Sequence, residues 1–371
     1  MLRKADVATL GNGRVLYLRG TPHEQGRKLG EGAADLIREN VERANALVER
    51  VATGFDLSAY TAMTRRNERW VSRVYPELLE ELQGISETSG IDYFDLLHLN
   101  LNTDVAYARA YAMVHDCTQV LVSGAATIDG KTYLAKTRDL TRGPTRQLLL
   151  HREYDDGTFR NEIQSAGQMT LPVGVNSYGV AVGTSGQWSK RVIVDLARGD
   201  GAWHIPNLQL VLRHARSADE ALDMVRDQPR VAGMNMTVAD DRRAYALEIT
   251  DTQAEVFEPE DGILVRTNHY LSPALQHLAP TRSENPGTFD RYERATEMAT
   301  SRRGELGMHD LLAIVSDHAD PGRESICRHG GAVEGVGQTY AAMVICPQDR
   351  HMWALFGNPC EGIQAVGRPT D

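Results

Sequence analysis

An abrupt change of texture at Cys117 constrains the fold of this chain more than any other feature. Before it the sequence carries long helical periodicity. Thr21-Pro22-His23-Glu24 is a helix start, with Thr at the cap, Pro at the first position and Glu placed for a capping box. Helical apolar spacing then runs to about Val51, and further helical segments are expected over 57–88, interrupted near Pro76, and over 93–113. Beyond Cys117, CTQVLVSGAAT and KTYLAKTRDL are β-rich runs joined through Asp129-Gly130, a hairpin signal. Strands are expected at 146–154, 160–166, 170–175 and 178–184, then a helical pair at 205–227. Four more strands (234–239, 243–250, 253–258, 262–266), helices at 289–303 and 308–318, and strands at 339–346 and 351–357 complete the pattern. Runs of strands, then helices, then strands specify an α+β layered fold rather than alternating βαβ units. No repeat and no linker rich in Pro, Gly or Ser divides the chain, so one compact domain is expected.

At 371 residues and 42% hydrophobic, the chain can bury a large core. Its net charge of −10 comes from acidic and basic residues mixed along the sequence, with no basic stripe, which argues against a nucleic-acid partner. No apolar run approaches the roughly 20 residues of a membrane span, so no membrane partner is expected. The N-terminus lacks the apolar region of a signal peptide and GRPTD carries no sorting address, so a cytoplasmic location is expected.

Four cysteines, Cys117, Cys327, Cys346 and Cys360, are too few for a disulfide framework, and none forms C-x-x-C. Cys346 ends the apolar run AAMVIC and reads as core. Cys117 is open to three readings: a disulfide, a packed thiol or a nucleophile. A nucleophilic cysteine needs a base and donors for the oxyanion it creates. Histidine is the usual base. The chain's own α-amino group, with a pKa of about 7.7–8.0, is another, but using it requires cleavage between Asp116 and Cys117. A cut there would leave the thiol at the start of a strand. A metal-dependent hydrolase is a competing class, because Asp317-His318-Ala319-Asp320 and Cys327-x-His329 bring ligand types close together. They lack a spacing such as H-E-x-x-H, so no metal is expected.

Motifs in order along the chain then narrow the choice. Gly20-Thr21-Pro22-His23-Glu24-Gln25-Gly26, Cys117-Thr118, Thr137-Arg138-Asp139, Gly174 to Val182 (GVNSYGVAV), Thr267-Asn268-His269 and Ser325-Ile326-Cys327-Arg328 together resemble the acyl-coenzyme A:6-aminopenicillanic acid acyltransferase family, within the N-terminal nucleophile hydrolases. The resemblance implies a four-layer αββα sandwich and a precursor that cuts itself. It further implies a helical segment, 1–116, held with an αββα catalytic segment, 117–371, as an α/β fragment heterodimer. A homo-oligomer is compatible with it. Acyl transfer or amide hydrolysis would proceed through a Cys117 thioester on a small-molecule amide or acyl substrate, with acyl-coenzyme A admitted as donor and no other cofactor.

Carried onto this sequence, the family's pattern makes Cys117 the nucleophile, Asn268 the oxyanion donor and Asp139 the residue that holds the nucleophile's surroundings. Asn176, Ser325, Arg328 and Thr118 become supporting or substrate-binding residues. Arg328 is read as a partner for Asp139, as a carboxylate binder, or as one half of a plain surface salt bridge. His269 tempts one toward a cysteine–histidine pair, but the resemblance assigns the base work to the amine. Two departures stand out. Aspartate occupies position 116, where the family commonly has glycine, which motivates an uncleaved, non-catalytic binding protein as the alternative. Val231-Ala232-Gly233-Met234-Asn235 lacks the serine of the penicillin enzyme, so penicillin specificity is not expected.

Overall fold

The computed structural model describes residues 7–10, 13–51, 57–101, 115–140, 146–187, 207–230, 233–318, 324–330, 337–362 and 364–366. Strands β1 (Val7–Leu10) and β2 (Gly13–Arg19) open the described chain, followed by helices α1 (Pro22–Val51), α2 (Leu57–Val74), α3 (Pro76–Ser89) and α4 (Tyr93–Leu101). Next come β3 (His115–Asp116), β4 (Gln119–Val122), β5 (Tyr133–Leu140), β6 (Gln147–Glu153), β7 (Phe159–Ser165), β8 (Val173–Asn176) and β9 (Ala181–Gly186). Helices α5 (Leu208–His214) and α6 (Ala218–Asp227) precede β10 (Met234–Ala239), β11 (Ala244–Ile249), β12 (Ala254–Phe257) and β13 (Ile263–Arg266). The chain continues through α7 (Pro286–Ser301), α8 (Met308–Val315), β14 (Gln338–Cys346), β15 (His351–Phe356) and β16 (Gln364–Val366).

The local chemistry explains the boundaries. Thr21 and Glu24 exchange their capping hydrogen bonds at 2.9 and 3.2 Å, which starts α1. Pro76 separates α2 from α3 by opening the latter, and Gly90 closes α3 in the left-handed region at φ +67°. Gly179, at φ +82°, makes the turn between β8 and β9.

Two sheets stack face to face. The first has nine strands in the order β1-β2-β6-β7-β8-β9-β10-β11-β12, and the second runs β13-β4-β5-β14-β15-β16 with β3 also paired to β5. Apolar side chains of both inner faces fill the space between them, among them Val15, Leu149, Ile163 and Val175 against Leu121, Leu134, Met343 and Ile345. The outer face of the first sheet is covered by α1, α3 and α4 on Leu16, Leu18, Leu148 and Leu150, and by α5 and α6 on Val182, Met236 and Leu247. The outer face of the second is covered by α7 and α8, whose Ala295, Ala299, Leu311 and Val315 meet Val120, Ala135 and Val344. The fold is the expected α+β, four-layer αββα sandwich.

The helical description of the segment before Cys117 needs one correction. It opens with β1 and β2, and β2 pairs in parallel with β6 in the first sheet. In GRVLYLR the apolar side chains reach both the inter-sheet core (Val15) and the helix-covered face (Leu16, Leu18). That two-sided burial obscures the alternation that usually marks a strand. A cut at Asp116–Cys117 would therefore leave two fragments woven into one sheet. The expected helix over 93–113 is described only as far as Leu101. Among the described residues no helix is long and apolar enough to cross a membrane.

Candidate active site

Cys117 lies where the second sheet's ladder is interrupted. Asp116 pairs with Asp139, and Gln119 pairs with Lys136, so Cys117 and Thr118 stand opposite Arg138 and Thr137 in one continuous register. Side chains replace part of the backbone pairing between these points. Thr137 N–H still donates to the Thr118 carbonyl at 2.9 Å, but Thr118 N–H donates to the Thr137 hydroxyl at 3.1 Å. Cys117 N–H donates to Asn268 Oδ1 at 3.0 Å. The nitrogen of the Asp116–Cys117 peptide is thus held by a side chain rather than by a neighbouring strand.

Arg291 of α7 closes this arrangement from the helical layer. Fully buried, it donates to the Cys117 carbonyl at 2.7 Å, to Thr118 Oγ1 at 3.1 Å and to Asn268 Oδ1 at 3.0 Å. It also stands 3.4 Å from Asp116 Oδ1, while Arg328 pairs with the other carboxylate oxygen of Asp116. Asp116, the departure from glycine, is therefore a buried carboxylate between two guanidinium groups. That placement accounts for a charge that an apolar strand end could not otherwise hold.

Asp139 is fully buried beside it. Thr339 Oγ1 donates to one of its oxygens at 2.7 Å and Thr137 Oγ1 to the other at 3.3 Å. Burial pushes its pKa above the usual carboxylate range, and the nearby Arg291 and Arg328 only partly oppose the shift. Arg328, expected as a partner for Asp139, makes its direct contact with Asp116 and also pairs with Glu324 at 2.8 Å.

On the inner face, Lys136 points its side-chain nitrogen at Cys117 Sγ from 3.1 Å and also donates to the Thr137 carbonyl at 3.2 Å. It is 1% exposed, and burial pulls its pKa down, with the Cys117 sulfur acting in the opposite direction. Gln119, next along β4, bridges to the first sheet through Ser185 at 2.8 Å and Thr237 at 2.7 Å. Gly183 leaves room for that bridge, since a Cβ there would come within 2.4 Å of Gln119 Oε1.

Cys117, Thr118, Asp139, Asn268 and Arg328 thus converge on one neighbourhood, whereas His269 and Asn176 are placed differently. His269 follows Asn268 but turns its ring away, stacking on Phe289 at 4.2 Å, with Nδ1 beside Thr288 Oγ1 at 2.9 Å. Burial lowers its pKa to about 4, so it is a neutral packed imidazole. Asn176 serves its own turn: Tyr178 and Val180 N–H donate to its oxygen at 3.0 and 2.9 Å, and its amide donates to the Ala215 carbonyl at 2.7 Å. Ser325 is half-buried, three residues ahead of Arg328 in the same loop. Asn268 itself aims its amide nitrogen at the Gly186 carbonyl, at 2.7 Å, while its oxygen faces Cys117.

The sequence model of the family described as "Acyl-coenzyme A:6-aminopenicillanic acid acyl-transferase" matches residues 127–361. The chain belongs to that family. A curated relative, the acyl-coenzyme A:6-aminopenicillanic-acid-acyltransferase 40 kDa form of Emericella nidulans, is 23% identical over 356 residues, covering 92% of each chain. Among solved structures, a mutant of the conjugated bile acid hydrolase of Clostridium perfringens aligns with a TM-score of 0.46 at 12% identity, covering 69% of this chain and 93% of that one. Penicillin V acylase of Agrobacterium tumefaciens aligns with a TM-score of 0.41 at 14% identity, covering 64% of this chain and 82% of that one. In this acyltransferase family member the matched region starts ten residues after Cys117.

Sequence reasoning missed two residues of the neighbourhood. Lys136 did leave a signal, a lysine inside the strand YLAKTRDL, where only a partnered charge can be buried. Arg291 left none. In TFDRYERATEM it looks like any arginine on a helix surface.

Proposed function

We propose that this acyltransferase-family enzyme matures by cutting itself between Asp116 and Cys117, and then makes or breaks a small-molecule amide bond through a Cys117 thioester. The observation that carries the reading is the grip on the Cys117 main chain: Asn268 on its N–H, Arg291 on its carbonyl, and the Lys136 amine 3.1 Å from its sulfur.

Before the cut no free α-amine exists, so the neutral Lys136 amine, favoured by burial, takes the thiol proton. The thiolate attacks the Asp116 carbonyl carbon, the bond to the Cys117 nitrogen breaks, and that nitrogen takes up a proton. The Asp116 thioester is then hydrolysed by water, which releases the Asp116 carboxylate and leaves Cys117 with a free α-amine. Asn268 Oδ1, already the acceptor for this nitrogen, would orient the amine. With an ordinary pKa of about 7.7–8.0, the amine can serve as base for later turnovers. The relative named an acyl-coenzyme A:6-aminopenicillanic-acid-acyltransferase makes an acyl thioester or a small amide the substrate class to test first.

Intact-mass measurement of the purified protein tests the reading. Fragments 1–116 and 117–371 in equal amounts are expected, with a single chain for Cys117→Ala. A wild-type chain that stays whole, and that also resists thiol-directed acylating reagents, would falsify it.

A further inference from the structure

On the far side of Arg328 lies a second constellation that the acyl-transfer reading does not use. His318 follows α8, Cys327 and His329 flank Arg328 in the loop before β14, and Cys360 lies in the short 3-10 turn Pro359–Glu361 after β15. Their four ligand atoms all lie within 4.8 Å of one another. His318 Nε2 is 3.0 Å from His329 Nε2, Cys327 Sγ is 3.6 Å from Cys360 Sγ, and His329 Nε2 is 3.5 and 3.2 Å from the two sulfurs.

We propose that His318, Cys327, His329 and Cys360 form a structural zinc site. Tetrahedral zinc, with Zn–S of about 2.3 Å and Zn–N of about 2.0–2.1 Å, sets ligand-to-ligand edges of roughly 3.3–3.8 Å. Four of the six observed edges are 3.0–3.6 Å, and the two from His318 to the sulfurs lie within 4.8 Å, so a small closure of His318 would complete that tetrahedron. Two thiolates and two imidazoles suit zinc rather than magnesium or calcium, which favour oxygen ligands. Four protein ligands also leave no open position, so the site serves structure and not hydrolysis. Binding would release the two thiol protons, because the thiolate is the ligand.

The surroundings are organised around the same atoms. Asn358 directs its amide at Cys327 Sγ from 3.5 Å and at the Arg328 carbonyl from 2.7 Å. Asp317, beside His318, is held by two hydrogen bonds from Arg294 at 3.0 and 2.8 Å, and its carbonyl accepts from Cys327 N–H at 3.0 Å. These contacts support the ligands from outside, as the outer partners of metal sites do. The metal would pin three chain segments together at the residue before and the residue after Arg328, fixing the guanidinium that meets Asp116. The sequence brings His318, Cys327 and His329 near one another, but no familiar spacing links them to Cys360, so the complete set becomes visible only in the fold.

Metal analysis of reduced protein reconstituted with zinc is the test, and it reads out whether or not the chain cuts itself. About one zinc per chain is expected, with visible absorption of tetrahedral cobalt–thiolate character after cobalt substitution. Cys360→Ser, at an exposed position, should weaken zinc binding by about 100-fold or more, whereas Cys117→Ala should leave it unchanged. Zinc below about a tenth of an equivalent in wild type, or wild-type affinity in both Cys360→Ser and His318→Gln, overturns the site. A Cys327–Cys360 disulfide that persists under reductant and excludes the metal overturns it equally.

Discussion

Two clusters of buried opposite charges sit under the two helical layers, and they differ in what burial does to them. Under α1, α3 and α5, Arg152 pairs with Glu81 and Glu162 at 2.7 Å each, and Arg160 pairs with Glu162 at 2.8 Å. Gln25 and Gln209 complete that network from α1 and α5. Burial alone would weaken the Arg152 charge, but Glu81 and Glu162 more than offset it, and its pKa rises. Under α7, Asp116 meets Arg291 and Arg328 and Asp139 faces two hydroxyls, while Lys136 faces a thiol from the inner side of the same sheet. There burial dominates: the Asp139 pKa is pushed up and the Lys136 pKa is pulled down, each toward its neutral form. The first cluster locks its charges. In the second, burial favours the neutral forms of Asp139 and Lys136, a kind of perturbation that clusters at functional sites.

Lys136→Met probes that difference most strongly. Removing the proposed base should slow self-cleavage by about 1000-fold, or ~4 kcal/mol, with the folded structure retained. The time course of fragment formation after dilution from denaturant measures it, and an unchanged rate would exclude Lys136 as the base. Glu162→Gln probes the other cluster and should do the reverse. It leaves two buried arginines short of a carboxylate, which costs about 3 kcal/mol in urea unfolding of the uncut Cys117→Ala chain. In an otherwise wild-type chain, cleavage of the folded Glu162→Gln variant should stay within about twofold, because separate sites act additively. A large loss of cleavage rate in well-folded protein would erase the distinction between the clusters.

How much of this was legible in the sequence depended on whether a signal was local. β10 at Met234–Ala239 lies where its apolar run and the Asp240-Asp241 turn place it. The same holds for the turn at Asn176–Gly179, whose chemistry is self-contained. β1 and β2 escaped, because a strand buried on both faces loses its alternation. In the site, Cys117, Asp139, Asn268 and Arg328 were legible through ordered motifs, and the geometry groups them. Arg291 was not, since only the packing of α7 over β3 and β4 distinguishes it from the part-exposed Arg294 three residues on. For Asn176 both a turn and a pocket role were open in the sequence, and its hydrogen bonds are those of its own turn and a link to Ala215.

The smallest effect is a pH dependence that only the second cluster should show. Asp139 titrates near 3.9 when unfolded and higher when folded. Between the two values the native chain holds more protons than the unfolded chain, so unfolding free energy falls as pH rises. The contribution of Asp139 is therefore fully present below its unfolded pKa and is lost as pH climbs through the folded value, by about 1.4 kcal/mol for each unit of upward shift. Asp139→Asn removes that titration and can still meet both threonine hydroxyls, each of which donates or accepts. Measured by urea unfolding in the uncut Cys117→Ala background, the stability of Asp139→Asn relative to its parent should increase from pH 4 upward and then level off. A flat difference, or one that shrinks with pH, would mean that Arg291 and Arg328 outweigh burial and that Asp139 is held as firmly as the charges of the first cluster.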